Sequence, residues 1–158
     1  MPIGRAAATG AAAVAPAAEG VEGGISVKPK GRRINIILVD DRKIMRQGLS
    51  SILRFENDIE IVAEAEDGRQ ALEMARRHVP DVVIMDVNMP VMDGIEATRI
   101  LTKEMPQAKV IALSMHTDGE AADAMREAGA VAFLTKAGPS EDLVEAIRAC
   151  CRPAKEKV

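Results

Sequence analysis

From residue 34 onward the apolar positions fall into two alternating patterns, short dense runs and longer stripes of helical spacing. Ile34 to Val39 is an apolar run that predicts a strand. The next stretch predicts a helix with Ile44, Met45, Leu49, Ile52 and Leu53 on one face. Ile59 to Ala65 is a second strand. Asp67 has Gln70 three residues on and opens a helix through Ala71, Leu72 and Ala75, which Pro80 ends. Val82-Val83-Ile84-Met85 is apolar on both alternating faces, as a strand in the middle of a parallel sheet must be, and it runs into Asp86. Asp93-Gly94-Ile95-Glu96 is the next helix start; the helix from Gly94 carries Ile95, Ala97, Ile100 and Leu101 to a stop at Pro106, and Val110 to Leu113 is a fourth strand leading to Ser114. Thr117-Asp118-Gly119-Glu120 has capping-box spacing for a helix that Gly129 closes. Val131 to Leu134 is a fifth strand ending before Lys136. Ser140, with Glu141 and Asp142, starts a last helix through Leu143, Ile147 and Cys150. Strands and helices in alternation predict a doubly wound α/β fold: a five-stranded parallel sheet with helices on both faces.

Residues 1–33 are of another material, Ala- and Gly-rich and ending in Lys28-Pro29-Lys30-Gly31-Arg32-Arg33. Such a segment buries too little surface to offset its ordering entropy and is expected to be a disordered leader or linker. The expected division is therefore a leader over 1–33, one domain over 34–152 and a short charged tail over 153–158.

Composition adds limits. The chain has 158 residues, 47% hydrophobic and only 1% aromatic, so the core is built from Val, Ile, Leu, Met and Ala. Its net charge is −3, with a pI near 5.5, which argues against a broad nucleic-acid footprint. With only the charged tail following Cys151, no helix-turn-helix is seen, and no direct DNA binding is expected. No apolar run approaches the roughly 18 residues that span a bilayer, so no membrane partner is expected either. Cys150 and Cys151 are adjacent, without metal-type spacing, and read as reduced thiols at a helix end of a cytoplasmic protein. The methionines near Asp86 (Met85, Met89, Met92, Met115) read as gap-fillers in an aromatic-poor core.

The chemistry collects at the strand ends. In a parallel sheet these share one edge, where open α/β sheets keep their ligand sites. That edge receives Asp40 and Asp41, then Asp86, Ser114 and Lys136. Each taken singly has a plainer use: Asp41 as a helix cap, Ser114 satisfying a loop amide, Lys136 as a surface charge. Together they make a rim of three carboxylates that repel unless a cation lies between them. All-oxygen ligation with few protein donors suits Mg²⁺. The Asp40-Asp41-Arg42 loop lacks the glycines of a phosphate cradle, so a phosphoryl group would enter on the cation, with Lys136 and Ser114 on its remaining oxygens. An Asp beside such a metal is a workable phosphoryl acceptor.

In combination, Leu38-Val39-Asp40-Asp41, Asp86-Val87-Asn88-Met89-Pro90 with Asp93-Gly94, Ser114, and Phe133-Leu134-Thr135-Lys136 closely resemble the response-regulator receiver domain, most of all its NarL/LuxR-type members. The resemblance covers Ile34 to Cys151. It implies a flavodoxin-like, CheY-like sheet of strand order 2-1-3-4-5. It also implies a signalling module in a His-to-Asp phosphorelay rather than a turnover enzyme. Asp86 matches the phosphorylated aspartate, and Asp41 a direct Mg²⁺ ligand with Asp40 beside it. Asn88 matches a backbone-carbonyl ligand and Lys136 the lysine that pairs with the phosphoryl group. Ser114 matches the hydroxyl that binds a phosphoryl oxygen, and Phe133 the aromatic switch. The implied partners are a histidine kinase or phosphotransfer protein and, as a further possibility, a second copy in a homodimer; the chain would be a stand-alone receiver or the terminal one of a hybrid kinase. Two departures are Arg42 after the acidic pair and Ala137 after Lys136, where the family often has a cis proline. A cis peptide before Ala137 would cost about 3 kcal/mol, which leaves its geometry open. A competing reading, a Mg²⁺-dependent small-molecule phosphohydrolase with an Asp nucleophile, wants a second acid where Asn88 stands.

Overall fold

The computed structural model describes residues 33–115 and 119–151. The leader up to residue 32, the tail from residue 152, and His116, Thr117 and Asp118 with their expected capping box lie outside the described residues.

Among the described residues ten elements alternate: β1 Ile34–Val39, α1 Lys43–Leu53, β2 Ile59–Ala65, α2 Gly68–His78, β3 Val82–Asp86, α3 Gly94–Glu104, β4 Lys109–Ser114, α4 Gly119–Ala128, β5 Ala132–Thr135 and α5 Ser140–Cys150. The strands form one parallel sheet ordered β2-β1-β3-β4-β5, as the sequence leads one to expect. Side chains alternate between the faces. Ile37, Val39, Val83, Met85, Val110 and Ala112 pack with α2, α3 and α4 through residues such as Leu72, Leu101 and Met125. Ile36, Leu38, Val82, Ile84, Ile111 and Leu113 pack with Leu53 of α1 and with Leu143, Val144 and Ile147 of α5. Every residue of β3 is buried, so Asp86 is carried by the best-packed strand of the molecule.

Local signals act as read at two helix starts. Asp67 accepts from the Gln70 amide at 2.9 Å, and Asp93 from the Glu96 amide at 2.9 Å. At α5 the cap position falls on Pro139, and Ser140 is the first helical residue. Gly129, at φ 118°, ends α4; a Cβ there would press into the side chain of Thr102, which donates to the Ala128 carbonyl at 2.8 Å. The Lys136–Ala137 peptide is trans.

Helix α1 differs from the expectation. Leu53 is buried, and Met45 and Leu49 are half-buried, but Ile44 is 73% exposed and Ile52 36%. The buried stripe is Arg46, Ser50 and Leu53, of i, i+4, i+7 spacing. The helix is turned so that Arg46 reaches Asp40, just past β1, and Glu64 of β2, and part of its apolar face is left toward solvent. Among the described residues, no helix is long and apolar enough to cross a membrane.

Candidate phosphoacceptor and cation site

The parallel register delivers the predicted residues to one edge. Asp40 follows β1 and extends its ladder, its amide donating to the Ala65 carbonyl at 3.1 Å. Asp86 ends β3 and pairs in register with Leu113, so Ser114 lies one step further along β4. Lys136 follows β5, its amide donating to the Ser114 carbonyl at 2.7 Å. The side chains then converge. Lys136 Nζ donates to Asp40 Oδ2 at 2.6 Å and to Asp86 Oδ1 at 3.0 Å, and all three side chains are almost wholly buried. One carboxylate oxygen from each of Asp40, Asp41 and Asp86 lies within 4.8 Å of the others, Asp41 being the exposed member. Ser114 is 4% exposed. Asn88 is exposed, two residues past Asp86. Phe133 stands on β5 three residues before Lys136, half-buried against the α2–α4 side of the core.

Electrostatics mark out Asp86. Burial raises its pKa above the ordinary carboxylate value, the hydrogen bond from Lys136 lowers it, Asp40 raises it, Lys136's charge lowers it and Asp41 raises it, with a net upward shift. One ammonium does not compensate the cluster. Octahedral Mg²⁺ with bonds of about 2.1 Å needs cis oxygens about 3 Å apart and trans ones about 4.2 Å apart. The three carboxylates offer oxygens within 4.8 Å of one another, and a hard, oxygen-only donor set is the one Mg²⁺ prefers. The residues present fit the ion.

The backbone around Asp86 leaves little freedom. The Gly94 amide donates to the Val87 carbonyl at 2.8 Å, and a Cβ at Gly94 would collide with the Asp86 carbonyl oxygen. The Gly68 amide, at the start of α2, donates to the Met92 carbonyl at 2.9 Å, and a Cβ at Gly68 would come within 2.6 Å of that oxygen. Between them Val91 takes φ 68°, with the Met92 amide donating to the Pro90 carbonyl at 2.7 Å. That is a γ-turn of the strained, positive-φ kind, on a β-branched residue.

Two residues absent from the sequence reading also belong here. Arg46 Nη1 donates to the Asp40 carbonyl at 2.7 Å, and its Nε donates to Glu64 Oε1 at 2.8 Å. The available signal was a charged residue sharing the helical stripe of Ser50 and Leu53. Arg42, the noted departure, donates its amide to Asp40 Oδ1 at 2.9 Å, and its guanidinium lies 3.9 Å from the same oxygen.

A family profile, that of the response regulator receiver domain, matches residues 36–148. The chain belongs to the response-regulator receiver family. A similar curated protein is the transcriptional regulatory protein DegU of Brevibacillus brevis, 39% identical over 116 residues, which are 73% of this chain and 49% of that protein. Among solved structures, the receiver domain of the response regulator NarL from Mycobacterium tuberculosis is 30% identical with a TM-score of 0.72, over 76% of this chain and 97% of that one. A DNA-binding response regulator of the LuxR family from Staphylococcus aureus is 26% identical with a TM-score of 0.70, over 74% and 98%. The chain spans about half the length of the curated relatives it matches. It is thus a receiver domain of two-component signalling, and the comparisons give the phosphohydrolase reading no support.

One expectation is corrected. The absence of direct DNA binding was inferred from a mild negative charge and from the short stretch after Cys151. The relatives are transcriptional regulators and one similar structure is of a DNA-binding regulator, so that inference does not stand. Its physical weakness is plain: charge and motifs within a receiver report on the receiver alone, which is about half of such a regulator.

Proposed function

We propose that this receiver accepts a phosphoryl group on Asp86 from a phosphohistidine of a kinase or phosphotransfer protein, with Mg²⁺ held by Asp40, Asp41, Asp86 and the Asn88 carbonyl. The observation that carries the reading is the Lys136 ammonium bridging buried Asp40 and Asp86 beside a third carboxylate. In the transfer the donor's N–P bond breaks as a bond forms from an Asp86 oxygen to phosphorus, and the imidazole leaves as the neutral ring once protonated. Mg²⁺ bound by these residues would supply charge neutralisation for the transferred oxygens. Lys136 already touches the acceptor carboxylate and follows the charge onto a phosphoryl oxygen. Ser114, on the neighbouring strand, donates its hydroxyl to another, and Phe133 responds from β5. The raised pKa of Asp86 signals an acceptor that gains when its charge is taken up by a bond or a cation. The product is a mixed anhydride that water reopens, so the domain serves as a transient switch in the cytoplasm and not as a turnover enzyme. Residues 34–152 form this unit, with 1–33 as leader and 153–158 as tail.

Incubation with Mg²⁺ and a small acyl phosphate, followed by intact mass, tests the reading. Wild type is expected to gain one phosphoryl group and Asp86→Asn none. Equal labelling of both would remove Asp86 from the role, and labelling undiminished by chelation of Mg²⁺ would remove the ion.

A further inference from the structure

A buried guanidinium needs a reason, because removing such a charge from water is costly unless its donors are fully used. Arg46 is 8% exposed, and its Nε and Nη1 donate to the Glu64 carboxylate of β2 and the main-chain carbonyl of Asp40. The rest of Asp40 is also held: its amide by the Ala65 carbonyl, Oδ1 by the Arg42 amide and Oδ2 by Lys136. Its carbonyl is the remaining handle, and Arg46 takes it.

We propose that Arg46 is a positioning residue for the cation site, fixing Asp40 through its carbonyl while Glu64 keeps the guanidinium out of the carboxylate cluster. The inference rests on the Mg²⁺ reading above and goes beyond it by adding a salt bridge from the sheet edge as part of the site. An octahedral ion tolerates little displacement of its ligands, and losing a partner that orients one costs such sites affinity. Glu64 matters because the Arg46 guanidinium, released from it, is free to turn from the Asp40 carbonyl toward the carboxylates and compete with the metal. Glu64 is also 43% exposed, so solvent and other molecules can reach the anchor without entering the site.

The sign of one effect separates this role from a spectator's. A cation near three carboxylates opposes Mg²⁺ by Coulomb's law, so deleting its charge should tighten binding if charge is all it contributes. Positioning predicts the opposite. Wild type, Arg46→Gln, Arg46→Lys and Glu64→Gln are titrated with Mg²⁺ alone and followed by amide NMR shifts, which also report that each variant is folded. Arg46→Gln is expected to bind roughly tenfold more weakly, with Arg46→Lys between it and wild type, and Glu64→Gln also weaker. Labelling of Asp86 by an acyl phosphate should fall in Arg46→Gln at low Mg²⁺ and recover at saturating Mg²⁺.

Unchanged or tighter Mg²⁺ binding in folded Arg46→Gln overturns the proposal. If that variant does not fold, Glu64→Gln decides, and wild-type affinity there overturns it equally. Should wild type itself fail to bind Mg²⁺, the reading of the whole site fails. Normal binding in wild type with indifferent variants sinks Arg46 alone.

Discussion

The two ends of the sheet treat acidic residues in opposite ways. At the end where the strands begin, Arg148 of α5 forms hydrogen bonds of 2.8 Å to both oxygens of Asp58 and one of 2.7 Å to Glu56, and Asp81 accepts the Asn35 amide at 2.8 Å. The Asp58 carboxyl is held below its ordinary value, chiefly by the hydrogen bond from Arg148. At the end where the strands finish, Asp86 shares a single ammonium with Asp40 and has Asp41 close by, and burial drives its pKa up. At one end each of these acids has a hydrogen-bond donor, from Arg148 or from the Asn35 amide; at the other, three carboxylates crowd within 4.8 Å of one another around one buried ammonium. The contrast distinguishes a structural clamp from a site waiting for a charged ligand, within one fold and with the same residue types.

The largest effect expected from disturbing this contrast follows Lys136→Met. Breaking a buried pair by removing one partner costs about 3 kcal/mol, since two buried carboxylates then face each other. Urea unfolding in metal-free buffer should show the loss, and millimolar Mg²⁺ should recover part of it; a loss untouched by Mg²⁺ would say that the carboxylates do not face a common cation.

Next comes Asp86→Asn, which removes a charge the fold resists. Because the folded pKa is raised, ionised Asp86 opposes folding: its unfavourable contribution is absent below the ordinary carboxylate pKa and grows as pH climbs from there to the raised folded value. The Asn variant should therefore melt above wild type at neutral pH in metal-free buffer, and the gap should close on acidification. Asp58 runs the other way. Its depressed folded pKa adds stability above the ordinary carboxylate pKa, and this is lost as pH falls through the folded value. Melting curves of Asp86→Asn and Asp58→Asn against pH should thus diverge from wild type with opposite signs.

The smallest effect is at the clamp. Arg148→Ala is expected to cost about 1 kcal/mol or less, because its side chain is 41% exposed and exposed pairs are worth little. High salt should shrink the loss further, while Asp86 labelling stays at the wild-type level.

What the sequence disclosed depended on how local the cause was. The β3 run into Asp86, the Asp67 and Asp93 caps and the strand-end residues are all set by neighbours in the chain, and parallel alternation then forces those ends together. Arg46 and Glu64 are 18 residues apart and meet only because α1 packs over β1 and β2, so periodicity left Arg46 off the buried face and put Ile44 and Ile52 on it. The left-handed backbone at Val91 was equally hidden, being imposed by the Gly68 amide on one side and Gly94 on the other. The DNA inference failed for a different reason, since it extended the properties of one part to a whole.

Strand β5 has four residues, each half-buried, and among the described residues it is hydrogen-bonded along one side only, to β4. Lys136 is mounted at its tip. The group that grips the acceptor acid thus rides on the most weakly moored strand of the sheet, so a tug at the carboxylate is spent on a light, easily displaced carrier instead of on the stiff centre. In hydrogen exchange, the outer amides of 132–135 should be the first in the sheet to take up deuterium.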